Sequence, residues 1–186
     1  MSHLLQTSQL SKGLIQVFTG DGKGKTTAAL GEVVRSIGTK KKIAVVYFDK
    51  GGDVHYSERS VLETLGVTIV VTGRDRIDPE TGRFDFSVTK QDKEEAQRGL
   101  KETRQLFEKG YDVMMLDELV TSVAIGLLEE DEVLDLLLRK PERTELILTG
   151  RHATENLMEK ADLVTEMRMI KHYYTKGVSA REGLDY

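Results

Sequence analysis

At 186 residues, 39% hydrophobic and 31% charged, the chain is long enough to bury a sizeable core in one domain and too apolar to be disordered. A net charge of −4 argues against bulk attraction to nucleic acid, and the lack of cysteine excludes disulfides, thiolate nucleophiles and cysteine-based zinc sites. The first dozen residues lack the apolar stretch of a signal peptide and no apolar run approaches membrane-spanning length, so a cytoplasmic protein with no nucleic-acid or membrane partner is expected.

Residues 1–13 read as a polar, loosely held arm in which only Leu4, Leu5 and Leu10 break the pattern. Residues 14–186 are expected to form a single nucleotide-binding domain. Leu14 to Phe18 is a short apolar run, as a buried parallel strand would be. It leads into Gly20-Asp21-Gly22-Lys23-Gly24-Lys25-Thr26-Thr27, whose alternating glycines let backbone N–H groups approach phosphate oxygens that a Cβ would keep away. Lys25 supplies a point charge for the phosphates and Thr26 a hydroxyl suited to Mg²⁺. Leu30, Val33, Val34 and Ile37 then fall at the spacing of one helical face, with the helix ending near Gly38. Strand, glycine loop and helix N-terminus together make an anion site, because orphan N–H groups and the helix dipole both favour negative charge. In the usual G-x-x-x-x-G-K-[ST] spacing, Thr19 stands where the first glycine belongs, so Gly20 and Gly22 are expected to carry the turn. A glycine-rich turn with a helix-starting threonine is the bland alternative.

Lys40-Lys41-Lys42 is read as a solvated loop, Ile43 to Phe48 as a second strand, 59–65 as a helix and 67–71 as a third strand. Gly73 to Arg83 is polar and turn-rich, as function-bearing loops often are. A helix is expected over 92–109 with Gly110 as its cap, a strand over 111–116, and helical material over 119–139, interrupted near Gly126 and barred from continuing by Pro141. The strand 145–149, a helix over 154–161 and a strand over 163–170 complete the series. Strands alternating with helices imply an α/β fold, P-loop NTPase-like and RecA-like, with a mostly parallel sheet and helices on both faces. Ligands of such sheets sit beyond the carboxyl ends of the strands, where the glycine loop lies.

Val113-Met114-Met115-Leu116-Asp117-Glu118 is an apolar strand ending in two carboxylates, the acidic group that a phosphate-binding loop needs opposite it to hold Mg²⁺. An acidic helix start would look the same in isolation; beside the glycine loop, the metal reading is the stronger. Arg151 follows the strand ending Leu148-Thr149-Gly150 and is placed to stabilise phosphate charge, a solvated arginine being the alternative. His3, His55, His152 and His172 show no ligand spacing.

Thr19 to Thr27, Phe48 to Gly52, Leu116 to Leu119, Leu148 to Arg151, Ala161-Asp162, Lys171-His172 and Ala180 to Tyr186 together resemble the P-loop ATP:corrinoid adenosyltransferases, over nearly the whole chain from Leu14 onward. The displaced first glycine is typical of that family. The resemblance implies that a Co(I) corrinoid (cobalamin, cobinamide or cobyrinic acid diamide) attacks C5′ of ATP and releases triphosphate. By that likeness Gly20, Asp21, Gly22, Lys23, Gly24, Lys25, Thr26, Thr27 and Arg151 bind ATP, Lys25, Thr26 and Glu118 act in catalysis, and Thr26 and Glu118, supported by Asp117, hold Mg²⁺. A homodimer and a flavoprotein or other reductant are also implied. Two departures stand out. A family segment whose Phe and Trp crowd the corrin's lower face is matched here by Phe86 to Asp92, with Phe86 kept and Val88 at the Trp position, and the N-terminal arm is short. An ATP-binding module or regulator without corrinoid chemistry, or an ordinary P-loop phosphotransferase, are the competing readings.

Overall fold

Short, mostly apolar runs of four to five residues, alternating with helices as far as the more polar last one, fold here as strands of one parallel sheet. The computed structural model describes residues 11–52, 56–76, 85 and 87–185. Among them, β1 (Ile15–Thr19), β2 (Ile43–Tyr47), β3 (Thr68–Val71), β4 (Val113–Asp117), β5 (Glu145–Thr149) and β6 (Leu163–Glu166) lie in the order β3-β2-β4-β5-β1-β6. Every pairing is parallel, so all the carboxyl ends share one edge. β5 lies between β1, which feeds the glycine loop, and β4, which ends in the carboxylates. The α/β expectation holds, and the arrangement is consistent with a P-loop NTPase-like domain.

The central strands are buried on both sides, which is why they read as continuous apolar runs rather than alternating ones. Their side chains still divide by pleat. Val45, Met115 and Ile147 pack with Ala29 and Val33 of α1 (Lys25–Ile37) and Leu62 of α2 (Glu58–Thr64). Ala44, Val46, Met114, Leu116 and Leu148 pack instead with Leu100 of α3 (Lys90–Phe107), Val120 of α4 (Leu119–Ala124), Leu136 of α5 (Glu130–Leu138) and Leu157 of α6 (Glu155–Lys160). Helices therefore cover both faces. Removing the buried Leu116 side chain to Ala would cost about 2–5 kcal/mol by lost transfer energy and the cavity left behind.

Several boundaries differ from the sequence expectation for local reasons. α3 starts two residues early because Thr89 and Asp92 form a reciprocal capping box, Asp92 Oδ2 accepting from the Thr89 amide at 2.7 Å. Gly110 takes the left-handed conformation (φ 67°) two residues past the cap residue Glu108. In α1, Val34 points outward, while Leu30 and Ile37 pack as expected against the core that buries Ala29 and Val33. β6 stops at Glu166 rather than 170. β1, its partner, turns into the glycine loop after Thr19, and the Met167 carbonyl then accepts from the Gly22 amide at 2.6 Å. Most of the arm expected over 1–13 and of the loop expected over 73–83 falls outside the described residues, as does Phe86.

Candidate nucleotide site

The glycine loop joins β1 to α1 at the carboxyl edge. Gly24, the N-cap, is left-handed (φ 119°), and no side chain caps the helix. The first-turn amides of α1 therefore lack a side-chain partner, the feature that draws an anion to a helix N-terminus. Gly20 carries the turn as expected, with φ 100°, and both Gly20 and Gly22 are needed for a second reason. A Cβ on either would lie 2.4 Å or 2.7 Å from the Met167 carbonyl oxygen, so they let the loop lie against the end of β6. Thr19, at the place of the usual first glycine, is buried and accepts from the Ala153 amide at 3.2 Å.

A cavity of about 450 Å³ opens over this loop. Gly22, Lys23, Gly24, Lys25, Thr26 and Thr27 line it together with Glu118 and Arg151, so most of the residues singled out from the sequence converge on one space. Gly20 and Asp21 line a neighbouring cavity instead, where Asp21 accepts from the Met169 amide at 2.9 Å, the contact that holds its carboxyl below the usual range. Val88 is 43% exposed on the segment entering α3 and does not line the loop cavity.

Lys25 is 7% exposed and donates to the Gly22 carbonyl at 2.8 Å, within its own loop. Burial, followed by the nearby Arg151 charge, pushes its ammonium below the ordinary lysine value. Incoming phosphate would relieve both effects. The two carboxylates divide their tasks. Asp117 is fully buried, accepts from Thr149 Oγ1 at 2.6 Å and pairs with the Lys50 ammonium. Glu118 faces the cavity, accepts from the Thr121 hydroxyl, and donates its own amide to Thr149 Oγ1 at 3.0 Å. Its backbone is left-handed (φ 58°), a conformation that costs a non-glycine residue about 1–3 kcal/mol and clusters at functional sites. Asp49 and His152, just past β2 and β5, share that conformation (φ 52° and 57°).

The sequence profile of the family described as ATP:corrinoid adenosyltransferase BtuR/CobO/CobP matches residues 11–186. The chain belongs to this family. Among its relatives, the Escherichia coli (strain K12) corrinoid adenosyltransferase is 38% identical over 184 residues, covering 96% of this chain and 88% of that protein. The corrinoid adenosyltransferase CobA of Salmonella typhimurium is 37% identical over 185 residues, with 96% and 88% covered, and the one from Sinorhizobium sp is 33% identical over 193, with 98% and 85% covered.

In this adenosyltransferase the structure adds three groups that residue-by-residue reading did not select. Lys50 pairs with Asp117 and lies 3.9 Å from Glu118 Oε1; burial works against its charge, yet the two carboxylates outweigh it and raise the ammonium above the ordinary lysine value. Thr149 ties Asp117 to the backbone of Glu118. The C-terminal tail forms much of the remaining lining through Tyr173, Tyr174, Val178 and Leu184. Lys23 fastens that tail by donating to Tyr173 Oη at 3.0 Å, to the Leu184 carbonyl at 2.6 Å and to the Asp185 carboxylate. The signals for these groups were the runs Phe48 to Gly52, Leu148 to Arg151 and Ala180 to Tyr186. Their roles became visible only with the sheet order. Among the described residues no helix is long and apolar enough to cross a membrane.

Proposed function

We propose that the chain transfers the 5′-deoxyadenosyl group of ATP to a Co(I) corrinoid and releases inorganic triphosphate, in the making or salvage of adenosylcobalamin. Family membership over residues 11–186 is the observation that carries this reading, and the convergence of Lys25, Thr26, Glu118 and Arg151 on one cavity supports it. The corrinoid's Co(I) is itself a strong nucleophile, so the chain needs no general base. The Co–C5′ bond forms, the C5′–O5′ bond breaks, and its electron pair leaves with the triphosphate. The protein's tasks are to aim C5′ and to stabilise the departing charge. First-turn amides of α1, Lys25 and Arg151 serve the second task, while Tyr173, Tyr174 and Val178 offer the nucleoside an apolar surface.

Thr26 and Glu118 present hard oxygen donors to the same cavity, a set that fits Mg²⁺, which takes the rest of its shell from phosphate and water. Thr26 and Glu118 would hold the ion, with Asp117 behind them, and it would neutralise charge on the triphosphate. Residues 14–186 act as one nucleotide-binding domain preceded by an arm. Phe86 and Val88 are assigned to the corrinoid's lower face by family likeness. The same likeness supports a homodimer in the cytoplasm, supplied with electrons by a flavoprotein or other reductant.

The test is to mix the full chain with Mg-ATP and chemically reduced corrinoid without oxygen, follow the visible spectrum and identify the phosphate product. Cobalt–carbon product and inorganic triphosphate are expected with cobalamin, cobinamide or cobyrinic acid diamide. Release of ADP and phosphate would reassign the chain as an ordinary phosphohydrolase or phosphotransferase. ATP binding without turnover of any corrinoid would reassign it as a binding module.

A further inference from the structure

The sheet register sets Tyr47 beside Asp117, so Lys50, three residues past β2, stands against the end of β4. Its ammonium pairs with the buried Asp117 carboxylate, lies 3.5 Å from Thr26 Oγ1 and lies 3.9 Å from Glu118 Oε1. These are the oxygens that the reading above gives to Mg²⁺. The placement is built into the surrounding structure. Arg59 is held over the Tyr47 and Tyr56 rings, 4.5 Å and 3.9 Å from their centroids, and donates to the carbonyls of Lys50 and Gly52. Gly51 packs so closely on the backbone at Gly73 and Arg74 that a Cβ there would lie 2.3 Å from the Gly73 oxygen. The Lys50 side chain is 16% exposed, so water screens it little.

We propose that Lys50 is a resident cation: in the nucleotide-free protein its ammonium holds the metal position, so that a divalent ion binds there only together with ATP. The inference rests on the assignment of Thr26 and Glu118 as metal ligands. Mg²⁺ needs its oxygens at about 2.0–2.1 Å, and an ammonium within hydrogen-bonding or ion-pairing reach of the same two oxygens takes up the space and the negative charge it would use. Two cations this close, in a site poorly reached by solvent, repel strongly. ATP removes the conflict, because the triphosphate gives Lys50 a second anionic partner and brings the metal's remaining ligands with it. In the empty protein the same ammonium keeps Asp117 and Glu118 from facing each other as bare like charges.

Mn²⁺, followed by its EPR signal on the full chain with and without ATP, tests this. The wild-type protein is expected to take up Mn²⁺ with ATP and to refuse it alone. Lys50→Gln is expected to take up Mn²⁺ alone about tenfold or more tightly than wild type, as removal of a nearby like charge requires. No gain in Lys50→Gln overturns the inference. Glu118→Gln separates this result from failure of the metal assignment: if ATP-dependent uptake is indifferent to that change, the ligand assignment falls, and the inference with it. Loss of Lys50 leaves Asp117 buried and unpaired, which is strongly destabilising. Should Lys50→Gln not fold, Asp117→Asn is compared with Asp117→Asn/Lys50→Gln. A similar gain on removing Lys50 supports the resident-cation role, and equal uptake overturns it.

Discussion

Lys25 shows how one side chain is prepared for an anion. Its ammonium rests on the Gly22 carbonyl, partly desolvated and near the Arg151 charge, so its charged form is disfavoured until phosphate arrives. Ground-state binding of ATP relieves part of that unfavourable state. The growing charge on the departing triphosphate relieves more, and this differential raises the rate. Lys25→Ala is therefore expected to lower kcat by about 10²–10³, the scale seen when one preorganised electrostatic group is deleted from an active site. The apparent affinity for ATP should change less, since the α1 amides and Arg151 remain. Steady-state kinetics of the variant beside its thermal melting curve provide the check. Near-normal kcat with an intact fold would remove Lys25 from the chemistry.

Among elements, the C-terminal tail is the one whose attachment can be weighed most directly. Its short 3-10 helix, Tyr173–Lys176, and the turn that follows are fastened to the glycine loop through Lys23, Tyr173 and Asp185, with Arg181 also bonded to Asp185 at 3.1 Å. Lys23, and then Tyr173, stabilise the ionised Asp185 and hold its carboxyl well below the ordinary value of 3.8. For a carboxyl depressed in the folded state, the stabilisation is present above the unfolded value and is lost only as pH falls through the lower, folded one. The tail should thus stay fastened from pH 7 down past pH 4. Asp185→Asn should release it at neutral pH, seen as faster tryptic cleavage at Lys176 and Arg181 and as slower cleavage when ATP fills the cavity. Unchanged cleavage in the variant would mean that this contact does not hold the tail. Helices and strands were legible where each carries its own local signal, as in the buried apolar runs of β2 and β4 and in Gly126, left-handed between α4 and α5; the capping box at Thr89 was not read, and the first two residues of α3 were missed with it. The tail has no period of its own, and the partner of Lys23 lies 162 residues away, so nothing local in the sequence points to it.

At the scale of the whole molecule, sheet order decides what the sequence leaves open. Lys25 and Thr26 stand out from motif spacing, and the Asp117-Glu118 pair from its strand end with Glu118 preferred only by family likeness, whereas nothing singles out Lys50 until β2 is known to lie beside β4. The same strand end connects two regions. Lys50 turns toward Asp117 and the nucleotide cavity, while its neighbour Asp49 accepts from Arg76 Nε at 2.7 Å and 2.8 Å. Arg76, with only 3% of its side chain exposed, donates onward to the carbonyls of Asp85 at 3.0 Å and Ser87 at 2.6 Å, beside Val88. The end of β2 therefore braces the segment proposed to meet the corrinoid as well as the site proposed to hold ATP. Arg76→Lys keeps the charge opposite Asp49 but cannot serve the carboxylate and both carbonyls at once. Charged hydrogen bonds of this kind are worth about 1.5–3 kcal/mol, so KM for the corrinoid should rise about tenfold or more. The affinity for ATP, measured by calorimetry without corrinoid, should hold within about twofold, because Lys50 keeps its own partner on β4. If both affinities fell together, the brace would be serving the nucleotide site or the fold as a whole, and the link from β2 to the segment around Val88 would have to be given up.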